Sequence, residues 1–168
     1  MNSKPCVVLF LYLACVGSVM ASEENWRTVI GYDPLQQKTA CLLESKSLRV
    51  FDGQTDTTLQ LVYNGHVFRM TSHSHVDLSY PGIGLRVDGQ EPFAVDAVEH
   101  LTDLIFSSRA DAIKAQFIAG RQAQIAVGFW PTWPRSDIVV ARFSLLGFSR
   151  AHAVFRHCQT TGELPGHD

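Results

Sequence analysis

Hydrophobic and polar positions alternate along much of this chain, which is the period-two pattern of strands with one buried face. The pattern is clearest in TTLQLVYNGHVFRMTSH, where two alternating runs flank Asn64 and Gly65. Because Asn-Gly accepts the positive φ angles of a two-residue type I′ turn, this stretch predicts a β-hairpin. A second hairpin is indicated in GIGLRVDGQEPFAV, where Asp88 and Gly89 separate two apolar alternations.

Four further short runs favour strands: residues 26–30 and 40–43, and the segments QAQIAVGFW and DIVVARFSLL. The apolar spacing in RADAIKAQFIAG instead predicts a helix over residues 110–119, which Gly120 would end. A closing helix is expected, with Ser149 as its N-cap. Its predicted buried side consists of Ala151, Val154, Phe155 and Cys158.

The segment AVDAVEHLTDLIF is ambiguous, because its apolar stripe suits a helix whereas its length also suits two short strands. Elsewhere short strands dominate, and we find no repeat, low-complexity tract or interdomain linker. Many short strands with two short helices indicate a mainly β fold, a sandwich with helical additions.

The N-terminus, MNSKPCVVLFLYLACVGSVMASEENW, has the layout of a secretory signal: one lysine, a short apolar stretch, and small residues at Val19 and Ala21. The apolar stretch is too short to cross a bilayer. We therefore predict a signal peptide over residues 1–21 and one domain over residues 22–168, periplasmic or secreted, with no transmembrane segment after cleavage. A lipidated Cys15 is the alternative, although the residues before it fit a lipoprotein signal poorly.

The chain has four cysteines, and signal cleavage would remove Cys6 and Cys15. Two cysteines left in an oxidising compartment usually pair, so Cys41 and Cys158 are predicted to form a disulfide. Closing such a long loop stabilises a protein by roughly 4–5 kcal/mol in the chain-entropy model. Two buried free thiols are the alternative, and a catalytic thiol is less favoured because neither cysteine lies in a nucleophile motif.

Charge and motifs narrow the class of function. The 14 Lys and Arg and 16 Asp and Glu give a net charge of -2 and are scattered along the chain. A nucleic-acid partner is not expected, because phosphate binding calls for a basic patch. The chain also lacks a G-x-S-x-G elbow, a glycine-rich phosphate loop and an H-E-x-x-H motif. We therefore expect no enzyme activity and no cofactor.

Four segments, in a fixed order, carry a family resemblance. NWRTVIGYDPLQQKTACLLES has a strand that begins with Trp, a loop and a cysteine, and GIGLRVDGQEP has a glycine-led strand and a Val-Asp-Gly hairpin. AIKAQFIAGRQAQIAV joins a helix, a glycine, a basic residue and a strand, and VARFSLLGFSRAHAVF joins a strand, Ser-Leu, Gly-Phe and a helix. Together they resemble the invasion-associated locus B family of exported bacterial proteins.

This resemblance implies an immunoglobulin-like β-sandwich and an exported protein linked to host-cell interaction in some bacteria, with no established catalytic residues. It also favours two strands for residues 93–108. The chain departs from the family at VIGYD, where many members have a cysteine, and at DAVEHLTDLIFSS, where members often have a close cysteine pair. A bridge between Cys41 and Cys158 would therefore belong to this chain or its subgroup.

The stretch TSHSHVD has the strongest metal-like spacing, because His73 and His75 would project from one face of a strand with Asp77 as a third ligand. No second cluster of ligands accompanies it in the sequence. Polar alternation on a solvent-facing strand explains the pattern equally simply. We expect zinc or copper to bind there weakly or not at all.

The segment GFWPTWPRSD places Trp130 and Trp133 beside prolines in a stiff loop. Such a loop could present aromatic faces to a protein, peptide or sugar. The alternative is that one or both rings fold back over the end of the sandwich. The sequence thus predicts an exported binding protein whose partner is a protein or an envelope or host component. A periplasmic inhibitor or immunity-like protein that blocks an enzyme through an exposed loop is the alternative.

Overall fold

A computed structural model describes residues 24–130 and 137–166. The larger sheet contains β1 (Trp26–Asp33), β2 (Lys38–Ser45), β3 (Leu48–Phe51), β4 (Asp56–Tyr63), β5 (Phe68–Ser72), β7 (Ala97–Glu99) and β8 (Asp103–Phe106). The smaller sheet contains β6 (Gly84–Val87), β9 (Gln122–Val127) and β10 (Val139–Ser144), and the helices are α1 (Ala110–Ala119) and α2 (Phe148–Thr161). The predicted signal peptide, residues 1–21, lies outside the described residues.

Both sheets are antiparallel. The larger sheet has the order β1-β2-β4-β5-β8-β7, with β3 also paired to β4, and the smaller has the order β10-β9-β6. The predicted mainly β class, a sandwich with two helices, is confirmed. Across the described residues, helices long and apolar enough to span a membrane are absent.

One hydrophobic core joins the two sheets. Alternate residues of β4 enter it, among them Leu59 and Leu61, and so do Leu85 of β6 and Ile125 of β9. All four side chains are fully buried. Each such side chain contributes about 1.5–3 kcal/mol relative to leaving it in water, so the alternation seen in the sequence is the pattern that builds this core.

Aromatic rings connect the larger sheet to both helices. Trp26 of β1 packs edge-on against Phe117 of α1 and Phe148 of α2, with ring centroids 5.8 and 5.0 Å apart. Phe68 of β5 lies 4.9 Å from Phe117. The indole Nε1 of Trp26 donates a hydrogen bond to the carbonyl of Ser144 at 2.7 Å, which satisfies its buried polar atom.

The disulfide predicted between Cys41 and Cys158 is present and closes a separation of 117 residues. It links β2 to α2, so it holds the last helix against an early strand. Cys158 is fully buried. Beside this bridge, Gln159 Nε2 donates to the carbonyl of Asn64, which links α2 to the turn after β4.

The turn predicted at Asn64 and Gly65 is wrong in length, since Tyr63 pairs with Phe68 and four residues connect the strands. The Asn64 side chain explains this: its Oδ1 accepts the N–H groups of His66 and Val67, and its Nδ2 donates to Asp33 Oδ2 at 2.7 Å. Gly65 has a positive φ of 100°, but Asn64 does not. The Asn64 side chain, of a type common in tight turns, here stabilises a four-residue connection through these hydrogen bonds.

The turn of the second predicted hairpin, Asp88-Gly89, has type I′ character, with φ of 47° and 75° and a hydrogen bond from Gln90 N–H to the carbonyl of Val87. The returning arm pairs only at Phe93, opposite Leu85. Residues 93–108 contain two strands, β7 and β8, as the family resemblance implied.

Helix α1 spans the predicted residues and ends at Gly120, whose N–H bonds to the carbonyl of Gln116. Helix α2 corrects one prediction: its N-cap residue is Gly147, not Ser149. The hydroxyl of Ser149 lies within the helix and donates to the carbonyl of Ile118. Gly147 has a φ of 90°, a conformation that glycine adopts without steric cost. The helix therefore begins directly after Gly147, which lies two residues before Ser149.

Candidate functional site

Three chain segments meet beyond the end of β5. They are residues 75–78, the β7–β8 turn at 100–101, and residues 129–130 after β9; together we call them the three-loop surface. Backbone hydrogen bonds fix them to one another. Trp130 N–H donates to the carbonyl of His75 at 3.0 Å, and Val76 N–H donates to the carbonyl of Leu101 at 2.8 Å. Val76 also forms an isolated antiparallel bridge with Phe129.

Apolar side chains are exposed on this surface. Leu78, Leu101 and Trp130 are 51%, 60% and 61% exposed, respectively. They border an open depression of about 460 Å³, which His75, Val76 and Asp77 also line. Large apolar side chains gathered around one depression, with polar groups at the rim, are typical of a contact surface.

Buried neighbours anchor the exposed groups. Phe129 is 2% exposed, so the chain turns one aromatic ring inward and the next, Trp130, outward. Tyr80 is buried and packs directly on Gly128, where an added Cβ would lie 2.1 Å from the tyrosine ring. Glycine is therefore required at position 128, because any side chain would push Tyr80 away from the segment that leads to Trp130.

The β7–β8 turn has an unusual backbone. His100 and Leu101 have positive φ values of 52° and 63°, and Thr102 N–H closes the turn on the carbonyl of Glu99. Left-handed conformation costs a non-glycine residue roughly 1–2 kcal/mol. Two hydrogen bonds keep the turn in this conformation: the backbone N–H of Val76 donates to the carbonyl of Leu101, and that of Ser72 donates to the carbonyl of Thr102. Backbone strain of this kind concentrates at binding sites and switches.

The structure places one of the two predicted binding tryptophans. Trp130 is exposed and does not fold back over the sandwich. Trp133 lies outside the described residues, so its part in a contact surface stays a prediction. His75 of TSHSHVD and Trp130 of GFWPTWPRSD, which the sequence singled out separately, are joined by a backbone hydrogen bond.

The geometry assumed for the histidine pair is wrong. Strand β5 ends at Ser72, so His73, His75 and Asp77 do not project from one strand face. His73 Nδ1 is hydrogen bonded to the hydroxyl of Thr58 at 3.1 Å, and Asp77 Oδ1 accepts the N–H of Ser79. Among residues 24–130 and 137–166, no three His, Cys, Asp or Glu side chains are grouped to hold a metal ion.

Sequence reasoning missed Leu78 and Leu101. Leu101 belonged to an apolar stripe in DAVEHLTDLIF that resembled the buried side of a helix. In the structure the stripe splits, because Leu104 is buried in β8 whereas Leu101 occupies a turn. Leu78 precedes Ser79 in a polar stretch, and an isolated leucine there carries no signal of its own.

The solved structures contain a similar fold. The chain matches the crystal structure of invasion associated protein B from Bartonella henselae with a probability of 1.00 and a TM-score of 0.51. The alignment covers 81% of this chain and 94% of that chain at 18% identity. The fold is shared. The resemblance seen in the sequence is thus confirmed as a likeness of fold. No family model matches the chain, and no curated protein matches it.

Proposed function

We propose that this chain is an exported, non-enzymatic binding protein that contacts a protein partner through the three-loop surface. The observation that carries the proposal is the group of Leu78, Leu101 and Trp130, each more than half exposed around one depression. An exposed tryptophan such as Trp130 is the residue type that often supplies much of the binding energy of a protein interface. Because backbone bonds already hold the segments in place, little conformational entropy would be lost on binding.

Export is the second part of the proposal. Its support is the signal-like N-terminus and the disulfide, which persists in oxidising compartments. N-terminal sequencing of protein isolated from the periplasm or the medium is the measurement. A mature N-terminus at Ser22 supports export as a free protein, whereas a lipidated Cys15 at the N-terminus contradicts it.

The third part concerns the partner, which we place in the bacterial envelope or on a host cell. The support for this placement is the likeness in fold to the crystal structure of invasion associated protein B. The inhibitor alternative would also use Trp130, which directly precedes the proline-rich segment in the sequence.

Affinity capture with matched variants tests the binding role. Immobilised wild type, Trp130→Ala and Tyr32→Ala proteins are compared on envelope and host-cell extracts, with proteins quantified by mass spectrometry. Tyr32 is the control because it is 63% exposed on β1, the edge strand of the larger sheet opposite β7. A partner retained by wild type and Tyr32→Ala and lost by Trp130→Ala supports the proposal. Equal capture by all three contradicts it, and specific capture of a hydrolase favours the inhibitor.

A further inference from the structure

The solvent-facing side of the smaller sheet carries an unbalanced row of charge. Register places Arg86 of β6 and Arg142 of β10 on either side of Gln124 of β9. Both arginines are exposed. Adjacent strands are about 4.8 Å apart, so their Cβ atoms are separated by roughly 10 Å and two long side chains can converge above Gln124.

Neither guanidinium has an acidic partner among the described residues. The larger sheet behaves differently, because Arg27 lies directly opposite Glu44 in register and forms an ion pair with it at 3.1 Å. Opposite charges across strands stabilise a sheet, and like charges do not. The nearby carboxylate of Asp88 is engaged by the backbone N–H groups of Arg121 and Gln122.

A depression of about 230 Å³ adjoins this row. Gly84 and Ala126, paired in register, provide the floor, while Pro92 on one side and Ile138 and Val140 on the other are apolar. Arg86 and Gln124 line its polar end. Gly84 cannot be replaced without conflict, since a Cβ there would lie 2.6 Å from the carbonyl oxygen of Phe93.

We propose that this depression binds a small organic acid, with its carboxylate held by Arg86, Arg142 and the amide of Gln124 and its apolar body over Gly84 and Ala126. A guanidinium matches a carboxylate geometrically and can donate two parallel hydrogen bonds. Gln124 Nε2 donates one bond to Gln122 Oε1 at 3.0 Å and has a second N–H to offer. The volume suits a body of one ring or a short alkyl chain. This site is separate from the three-loop surface.

Chemical-shift titration of the isotope-labelled mature chain tests the proposal with three probes: benzoate, benzyl alcohol and sulfate. Benzoate is expected to shift the backbone amides of Arg86, Gln124 and Ala126 with a millimolar dissociation constant. Benzyl alcohol lacks the charge and is expected to bind at least about tenfold more weakly, the loss that one charge-assisted hydrogen bond brings. Sulfate keeps the charge but has no apolar body to bury, so it is also expected to bind at least about tenfold more weakly.

Variants separate the two halves of the site. Arg86→Gln and Arg142→Gln are each expected to weaken benzoate binding about three- to tenfold. Arg49→Gln, an exposed strand arginine elsewhere, serves as the matched control. Ala126→Leu fills the floor and is expected to abolish benzoate binding, with circular dichroism confirming that the fold is kept. Sulfate binding as tight as benzoate, unchanged binding in both arginine variants, or no titratable shift would each overturn the proposal.

Discussion

The two ends of strand β5 lie in opposite surroundings. At its first residue, Phe68 stacks on Tyr63 with centroids 4.3 Å apart and contacts Phe117 of α1. We call this the helix-covered end, which the bridge between Cys41 and Cys158 also ties to α2. At the last residue, the N–H of Ser72 donates to the carbonyl of Thr102, and the chain continues into the three-loop surface.

The two ends are made rigid by different forces. Side-chain packing and a covalent bond hold the helix-covered end, whereas the three-loop surface relies on backbone hydrogen bonds between irregular segments, with Tyr80 packed against Gly128. Two tryptophans illustrate the difference: Trp26 is 2% exposed and Trp130 is 61% exposed. Because backbone hydrogen bonds join the segments of the three-loop surface, Leu78, Leu101 and Trp130 are left available for a partner. Stability and binding are therefore expected to be separable by mutation.

The largest expected effect is at the centre of the helix-covered end. Phe117→Ala should lower the free energy of unfolding by about 3–5 kcal/mol, because the ring touches Trp26, Phe68 and Phe148 and leaves a cavity when removed. Urea unfolding followed by fluorescence measures this. The control, Phe51→Ala, is exposed and should cost less than about 0.5 kcal/mol. A similar decrease in the free energy of unfolding in both variants would contradict the special role of side-chain packing at the helix-covered end.

The disulfide comes next. The double variant Cys41→Ala, Cys158→Ala should lose roughly 2–5 kcal/mol, because the cross-link restricts the unfolded chain and pins α2. Thermal unfolding of this variant and of chemically reduced wild type should give the same lowered midpoint. Peptide mapping without reductant checks the pairing directly. Two free thiols in correctly exported protein would contradict the statement that a covalent bond holds the helix-covered end.

Substitutions in the strained β7–β8 turn should change the free energy of unfolding by about 1 kcal/mol. Leu101→Gly should be more stable than Leu101→Ala by about that amount, because only glycine adopts the φ of 63° without strain. Both variants delete the exposed side chain, so they differ only in the Cβ atom. Paired chemical denaturation curves provide the measurement. If alanine proves equal or better, the turn does not store strain.

A histidine within the aromatic cluster should make the helix-covered end sensitive to acid. Burial lowers the pKa of His152 below its ordinary value of 6.5, and the positive charges of Arg156 and Lys114 lower it further. The unfolded state therefore binds a proton more readily, and stability should decrease as pH falls through 6.5. Denaturant unfolding at pH 7.5 and 5.5 is compared for wild type and His152→Gln. An identical pH dependence in the two proteins would exclude this residue as the cause.

The smallest effect on stability is expected at Trp130. Because the ring is exposed, Trp130→Ala should change the free energy of unfolding by no more than about 0.5 kcal/mol. The same variant is expected to lose the captured partner. Calorimetry on the sample used for capture checks both statements on one preparation. A strongly destabilised Trp130→Ala protein would show that the ring supports the fold, and the separation of stability from binding would fail.

Local patterns predicted much of the secondary structure. Helix α1 has its predicted bounds because apolar spacing and a terminal glycine act within a few residues. The β-rich class followed from the alternation that also builds the core. The disulfide followed from counting the cysteines that the predicted signal cleavage would leave, without any knowledge of distance.

Predictions that depended on distant groups were less successful. The Asn64 turn is wider than predicted because its amide bonds to Asp33, 31 residues earlier. Ser149 does not cap α2, since Gly147 already turns the chain. The histidine stretch does not form a strand face, because Val76 pairs with Phe129 and takes the chain towards β9.

The sequence by itself therefore determined the class of fold, helix α1 and the pairing of Cys41 with Cys158, and it offered Trp130 only as a candidate for binding. Only the tertiary structure decided that Leu78 and Leu101 join Trp130 on one surface, and that Arg86 and Arg142 flank Gln124. The physical reason is range. Periodicity and turn propensity act between neighbours in the chain, whereas a surface is assembled from segments whose proximity is set by strand register and by the packing of the whole core.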